Sequence, residues 1–457
     1  MANEQALETL SQLLGERLSR SKPDLDQHGR SETHFPPMPP EAVAYPENTA
    51  QVAEIMRICA QARCPVIGWG AGTSLEGHGL ALRGGVVVDF RDLNKVLSIR
   101  SADMDVTVQP GVTREALNEE LRATGLMFPV DPGANASIGG MAMTRASGTT
   151  AVRYGTMRDN VMGMQVVLAD GRVIETGSRA RKSSAGYDLT ALMVGSEGTL
   201  GLVTELTLRL HGIPEATSAG ICSFPSMGAA VDTVIETIQM GIPMARIEFV
   251  DAASARAFND YSGSSMNEAP HLMVEFHGSP DGVAEDAVRF GDIVADHGGS
   301  EFQWSAREEE RRALWAMRHN GYYAILAARK GARALVTDIC VPISKLAQAV
   351  EETQADIEAS GIPGPILGHV GDGNFHAILL VDPEQPADLE TAKALSHRMA
   401  ERAIALGGTC TGEHGVGMGK LAYMRAEHGD GWDVMGAVKR ALDPDNILNP
   451  GKLVPGN

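Results

Sequence analysis

The sequence predicts an α+β protein made of two successive packed units. Three observations carry that expectation. A chain of 457 residues exceeds what one hydrophobic core usually organises. Up to a boundary near residue 215, short apolar strand segments alternate with helices and many glycine turns. Beyond it, longer helical stretches separate strands in the pattern of helices layered on an antiparallel sheet. The chain shows neither an internal repeat nor a low-complexity linker.

Residues 7–18 carry apolar side chains at helical spacing, and the run FPPMPP at 35–40 breaks any helix, so a leading helix and an extended arm are expected over 1–37. Thr49 is the expected N-cap of an amphipathic helix reaching residue 62. PVIG at 65–68 and GVVVD at 85–89 read as buried strands around a glycine-rich turn, and 106–109, 164–168 and 203–208 read as further strands. In the second unit, helices are expected at 227–240, 282–297, 307–330 and 344–360, with strands at 245–250, 271–276 and 377–381.

The formal net charge of -19 works against non-specific attraction to nucleic acid or to an anionic bilayer. A small anionic substrate then needs a local cationic anchor. Five cysteines at scattered positions, without a CxxC pair, read as buried thiols of a reducing compartment. Residues 1–20 alternate apolar and charged side chains, unlike a signal peptide, and no apolar stretch approaches the length of a membrane span. The expectation is a cytoplasmic protein, peripheral to a membrane at most.

GWGAGTSLEG at 68–77 follows an apolar strand, and its Gly70, Ala71, Gly72, Thr73, Ser74 and Gly77 let backbone N–H groups converge on a phosphate. The spacing is not GxGxxG opening a helix, and no GxxxxGK[ST] occurs, so NAD and ATP lose ground. DPGANASIGG at 131–140 brings Pro132, Gly133, Ser137, Gly139 and Gly140, and GSEGTLG at 195–201 brings Glu197, Gly198 and Gly201. One such loop is as readily a tight turn. Three in one unit exceed what turns require.

In this order, the segments 70–77, 137–140, RYG at 153–155 and 195–203 resemble the FAD-binding domain of the vanillyl-alcohol oxidase and p-cresol methylhydroxylase (PCMH) superfamily. The resemblance implies a two-lobed PCMH-type FAD-binding domain at 38–215. It further implies an α+β (ferredoxin-like) substrate-binding cap domain with a metal site at 216–440, and a C-terminal return to the FAD domain at 441–457. It implies non-covalent FAD, with Thr144, Gly148, Tyr154, Gly155 and Val203 added to the cofactor set, although some members attach the flavin through a histidine near the position of His78. Asn449, in LDPDNILNPGK at 442–452, is placed against the flavin ring or the metal-site edge; a helix-terminating turn explains it equally well.

GHVGDGNFH at 368–376 sets two histidines either side of an Asp-Gly turn signal, the pattern of a hairpin. Both imidazoles can then face one point, where a carboxylate completes a three-ligand divalent site with an open position. Glu413, in TGEHG at 411–415, is the candidate. Spacing alone leaves these as ordinary turn residues. The same segments resemble the D-lactate and D-2-hydroxyglutarate dehydrogenase branch of the superfamily, most of all its D-lactate dehydrogenase (cytochrome) group, along almost the whole chain. That resemblance implies His369, His376 and Glu413 as metal ligands, His414 as the catalytic base and Arg318 as the substrate-carboxylate anchor. Tyr322, one turn past Arg318 on the same helix face, is expected to line the pocket. Zinc suits the ligand set, and manganese is the alternative.

Two departures bear on the substrate. Val336 stands where the 2-hydroxyglutarate members carry a lysine, and Ile378 where they carry an asparagine. Loss of both polar groups favours a short or apolar tail, and D-lactate first. The expected electron acceptor is a quinone, a cytochrome or an electron-transfer flavoprotein. A glycolate oxidase flavin subunit and a non-redox lyase or transferase like the ether-lipid synthases are the alternatives. Oligomeric state is left open, a homodimer included.

Overall fold

The computed structural model describes residues 2–31 and 33–455; Met1 and Glu32 of the expected arm and residues 456–457 of the expected tail lie outside the described residues. The chain forms two compact units: Met1–Ser147 with Gly155–Ile213 and Glu413–Asn457, and Gly148–Tyr154 with Pro214–Gly412.

The first unit holds two larger sheets beside the two-stranded pair Leu126–Met127 and His211–Gly212. In one, the strand order is Leu18–Ser19, Ala42–Ala44, Val86–Asp89, Val66–Trp69, and the last two pairings are parallel. The continuous run Val86, Val87, Val88 is buried throughout, as a parallel strand covered on both faces requires. Helix Thr49–Ala62 sets Val52, Ile55, Met56 and Cys59 into the core beside Leu7 and Leu10 of helix Ala2–Leu14. Its cap is Asn48 rather than Thr49: the Asn48 side chain accepts the Gln51 N–H at 3.0 Å. The leading helix stops at Leu14 instead of residue 18, because Gly15 turns to a φ of 57° and Leu18 pairs with Ala44.

The other sheet is antiparallel, in the order Val96–Arg100, Asp105–Val108, Leu202–Arg209, Val161–Val167, Val173–Gly177. Its Val106, Val108, Met164, Val166, Leu206 and Leu208 share a core with Leu117 and Leu121 of helix Arg114–Leu121 and with Ile138 and Met141 of helix Ile138–Thr144. The polypeptide from Glu413 onward clusters with this unit, although the sequence reading gave it to the cap as far as residue 440. The cause is pairing: Leu448 bridges Val66, and the Asn449 N–H bonds the Val66 carbonyl.

The second unit is built on an antiparallel sheet in the order Gln303–Ser305, Ala216–Ser223, His271–Gly278, Met244–Val250, Ile366–His369, Asn374–Val381, Arg333–Val336, with Ile339–Cys340 also paired to Asn374–Val381. Period-two alternation divides its faces. Phe249, Leu272, Val274, Phe276, Phe375, Ala377 and Leu379 point into a core closed by helices Met227–Gln239, Pro280–Asp296, Leu346–Ser360 and Pro386–Ala405. The alternate positions carry Arg246, Glu248, Glu275, His277, His369 and His376. The long helix expected at 307–330 is two, Glu308–His319 and Gly321–Ala327. Gly321 packs so tightly on Phe258 that an added Cβ would stand 2.8 Å from the ring. Four of the cysteines are buried as expected, whereas Cys340 is half-buried, its thiol 3.1 Å from the Asp372 carbonyl.

Candidate active site

In the first unit the first two glycine loops meet at Ser137. A Cβ on Gly70 would stand 2.2 Å from Ser137 Oγ, and one on Gly139 would stand 2.4 Å from Pro110 Cβ, so glycine is what lets these segments touch. Among the described residues, the buried Ser137 Oγ has no hydrogen-bond partner. A buried hydroxyl without a partner among the described residues, beside glycines that leave room for a close approach, fits the phosphates of a flavin nucleotide. Ala71, Gly72, Thr73, Ser74, Pro132 and Gly133 line the accessible side of these loops, and Gly77, Gly155 and Gly198 take positive φ. Other residues of the expected cofactor set also make contacts within the unit. Thr144 Oγ1 donates to the Gly140 carbonyl at 3.1 Å, Gly201 packs on Val166, and Val203 is buried in the sheet.

Glu197 and Asn449 are likewise occupied within the unit. The Glu197 carboxylate accepts the N–H groups of Val416 and Gly417 at 2.7 and 2.8 Å, and His78 Nε2 lies 3.2 Å from it. Burial opposes its ionisation, but His78 and the two N–H donors together hold its pKa below the ordinary value. Asn449 gives both amide hydrogens away, to the carbonyls of His78 and Glu197, and its oxygen accepts from Lys452 Nζ. Both amide hydrogens of Asn449 are thus engaged within the unit, tying the tail to the segments at His78 and Glu197. Lys452, absent from the sequence reading, is buried and also donates to the carbonyls of His78 and Leu80. Glu413 accepts from Ser147 Oγ at 2.8 Å, and it and His414 belong to this unit.

In the second unit the expected hairpin is present. Strand Ile366–His369 turns through Val370–Asp372 and Gly373, at a φ of 76°, into Asn374–Val381, with Leu367 opposite His376. His369 and His376 therefore share a sheet face, and their rings stand 5.6 Å apart at 80°. Each Nδ1 is committed: His369 to Glu248 Oε1 at 2.7 Å, His376 to the Thr337 carbonyl at 3.0 Å. With Nδ1 so engaged, Nε2 is the nitrogen that each ring would turn toward a metal. The donor set fits a divalent ion.

Glu248 is the functional residue that sequence reasoning missed. It is fully buried, on strand Met244–Val250, and its other oxygen accepts from Arg318 at 2.5 Å. Burial disfavours its charge, and His369 and Arg318 outweigh that penalty, keeping its pKa low. Arg318 is in place on helix Glu308–His319, with one guanidinium arm engaged. Tyr322 does not extend the same face: it sits on the following helix, 40% exposed, with its ring edge-on to Tyr323. Gly148 and Tyr154 group with this unit, where the Tyr154 hydroxyl bonds His277 Nδ1 at 2.7 Å and His277 Nε2 bonds Glu275. Val336 and Ile378 are direct cross-strand partners within an apolar cluster that includes Phe258 and Ile325.

Residues 213–453 match the family model described as FAD linked oxidases, C-terminal domain, over more than half of the chain, and residues 40–177 match that of the FAD binding domain. The chain belongs to the FAD-linked oxidase family. This oxidase is 49% identical to a probable mitochondrial D-lactate dehydrogenase of Danio rerio, over 94% of this chain and 87% of that protein. It is 42% identical to the mitochondrial D-lactate dehydrogenase [cytochrome] of Arabidopsis thaliana, over 98% and 79%. The glycolate oxidase subunit GlcD of Bacillus subtilis (strain 168) is 36% identical, over 91% and 89%. In structure the oxidase resembles p-cresol methylhydroxylase with a TM-score of 0.81 at 18% identity, covering 99% of this chain and 96% of that one, which bears out the α+β, PCMH-type fold. Among the described residues of this FAD-linked oxidase, no helix is long and apolar enough to cross a membrane.

Proposed function

We propose that this FAD-linked oxidase is a D-lactate dehydrogenase, oxidising D-lactate to pyruvate with non-covalently held FAD and a divalent metal, zinc first and manganese second. The observation that carries the reading is the pair His369 and His376, each with Nδ1 fixed by a hydrogen bond and with rings 5.6 Å apart. Glu413 is the third ligand. When bound, FAD supplies the acceptor for the hydride leaving C2, and the metal supplies a Lewis acid at the substrate hydroxyl.

The remaining work falls to the chain. His414, as a neutral imidazole, takes the hydroxyl proton. Arg318 receives the substrate carboxylate on the part of its guanidinium that Glu248 does not hold. Val336 and Ile378, both apolar, offer no partner to a second carboxylate, and this favours lactate over longer diacids. Ser137 and the glycine loops hold the nucleotide. Electrons leave to a cytochrome, quinone or flavoprotein; the name of the Arabidopsis relative supports the first.

A second reading, a glycolate oxidase flavin subunit, rests on the Bacillus relative. One experiment separates them. The purified yellow protein is titrated anaerobically with D-lactate, glycolate and D-2-hydroxyglutarate, and the flavin band is followed. Bleaching at the lowest concentration by D-lactate is expected. Preferential bleaching by glycolate selects the second reading, and no bleaching by any 2-hydroxy acid overturns both.

A further inference from the structure

We infer that Glu248 is a positioning residue that couples two functions of the second unit, metal ligation by His369 and anion capture by Arg318, through one buried carboxylate. The inference rests on the proposed roles of those two residues and adds a role for a third. Glu248 sits on the central strand Met244–Val250, and the register that pairs Phe249 with Gly368 and Val250 with Leu367 carries on to set it opposite His369. Its two oxygens are divided, Oε1 to His369 Nδ1 and Oε2 to Arg318. An ionised carboxylate only accepts hydrogen bonds, so His369 donates from Nδ1, and Nε2 is the nitrogen that this tautomer would offer a metal.

The neighbouring charges are already committed elsewhere. Arg246, two residues earlier on the same face, lies 3.6 Å from Glu275 and 5.0 Å from the Trp315 ring centre. Glu275 is also bonded to His277, which holds the Tyr154 hydroxyl. Among the described residues, the buried Nε of Arg318 has no hydrogen-bond partner, a donor that an incoming anion would meet. An anion drawn to Arg318 and a cation drawn to His369 therefore bear on the same carboxylate. Removing its charge frees the ring of His369 to turn and leaves Arg318 without the contact that aims it.

The test is Glu248→Gln in the flavin-loaded protein. Zn²⁺ affinity is measured by chelator competition, and kcat and KM for D-lactate are measured alongside. Expected are a Zn²⁺ affinity lowered about 10- to 100-fold, a raised KM, and unchanged flavin content. Glu248→Asp, too short to span both partners, is made in parallel and is expected to shift both values in the same direction, so a Gln variant that fails to fold does not end the test. Wild-type Zn²⁺ affinity and KM in the folded variants overturn the coupling and leave the dehydrogenase reading standing. A wild-type protein that binds no Zn²⁺ and does not oxidise D-lactate overturns both.

Discussion

His376 gives its Nδ1 proton to the carbonyl oxygen of Thr337 at 3.0 Å, a bond that decides which of its nitrogens faces the neighbouring imidazole. A carbonyl can only accept, so the ring is held as the Nδ1–H tautomer. His376→Ala or His369→Ala is expected to abolish stoichiometric metal and lower kcat by about a hundredfold or more, in line with what lesser, outer-shell losses already cost. Flavin content should stay at the wild-type level, because the glycine loops belong to the other unit. Metal analysis and the flavin spectrum of the same sample check this, and joint loss of flavin would contradict it.

The contact between Gly70 and Ser137 predicts a rescue. Gly70→Ala places a methyl 2.2 Å from Ser137 Oγ and is expected to destabilise the first unit by about 1–3 kcal/mol and to lower the flavin-to-protein ratio. Adding Ser137→Ala removes the colliding oxygen. The double variant should regain most of the melting temperature but not the flavin, since the phosphate-facing hydroxyl is gone. Thermal melts and the flavin absorbance ratio separate the two effects.

The carboxylate of Glu197 makes a pH prediction. Its folded pKa lies below the unfolded value of about 4.5, so its stabilising contribution is complete above that value and is lost as pH falls toward the folded pKa. Wild type should therefore exceed Glu197→Gln in stability at pH 6–7, and the gap should narrow as pH drops below about 4.5. Urea midpoints at stepped pH measure it. A gap that is constant through the acid range would show that the charge is not what matters.

Val336 and Ile378 predict a change of substrate. The pair Val336→Lys with Ile378→Asn installs polar groups on directly opposed positions. Preference for D-2-hydroxyglutarate over D-lactate, as the ratio of kcat/KM values, should rise about tenfold or more. The polar groups enter an apolar cluster, so a stability loss of about 1–3 kcal/mol is expected. An unchanged ratio in a folded, metal-loaded variant would place the substrate tail elsewhere.

How far the sequence could be read depended on the separation of the interacting residues. The hairpin bearing His369 and His376 was legible because a turn signal and strand alternation are local. The strands at 244–250 and 271–278 were legible for the same reason, to within two residues at either end. Glu248 was not, because its partner His369 lies 121 positions away and only the strand order brings them together. A hint was present: Arg246 and Glu248 are charges at alternate positions of an otherwise apolar strand, which marks a sheet face with polar work on it. The helix expected at 307–330 failed at Asn320 and Gly321, where contact with Phe258 overrode helical propensity. The bonds of Asn449 to His78 and Glu197, 371 and 252 positions away, were not legible either, for the same reason of separation.

Those long-range bonds also set an order of assembly. Lys452 reaches the carbonyls of His78 and Leu80 across 374 and 372 positions of chain, so the backbone just after the first glycine loop receives its support from a segment translated long afterwards. While the ribosome still holds that segment, the loop near residue 78 lacks its brace. The first glycine-loop end of the unit is thus completed only once the chain near residue 452 has been made.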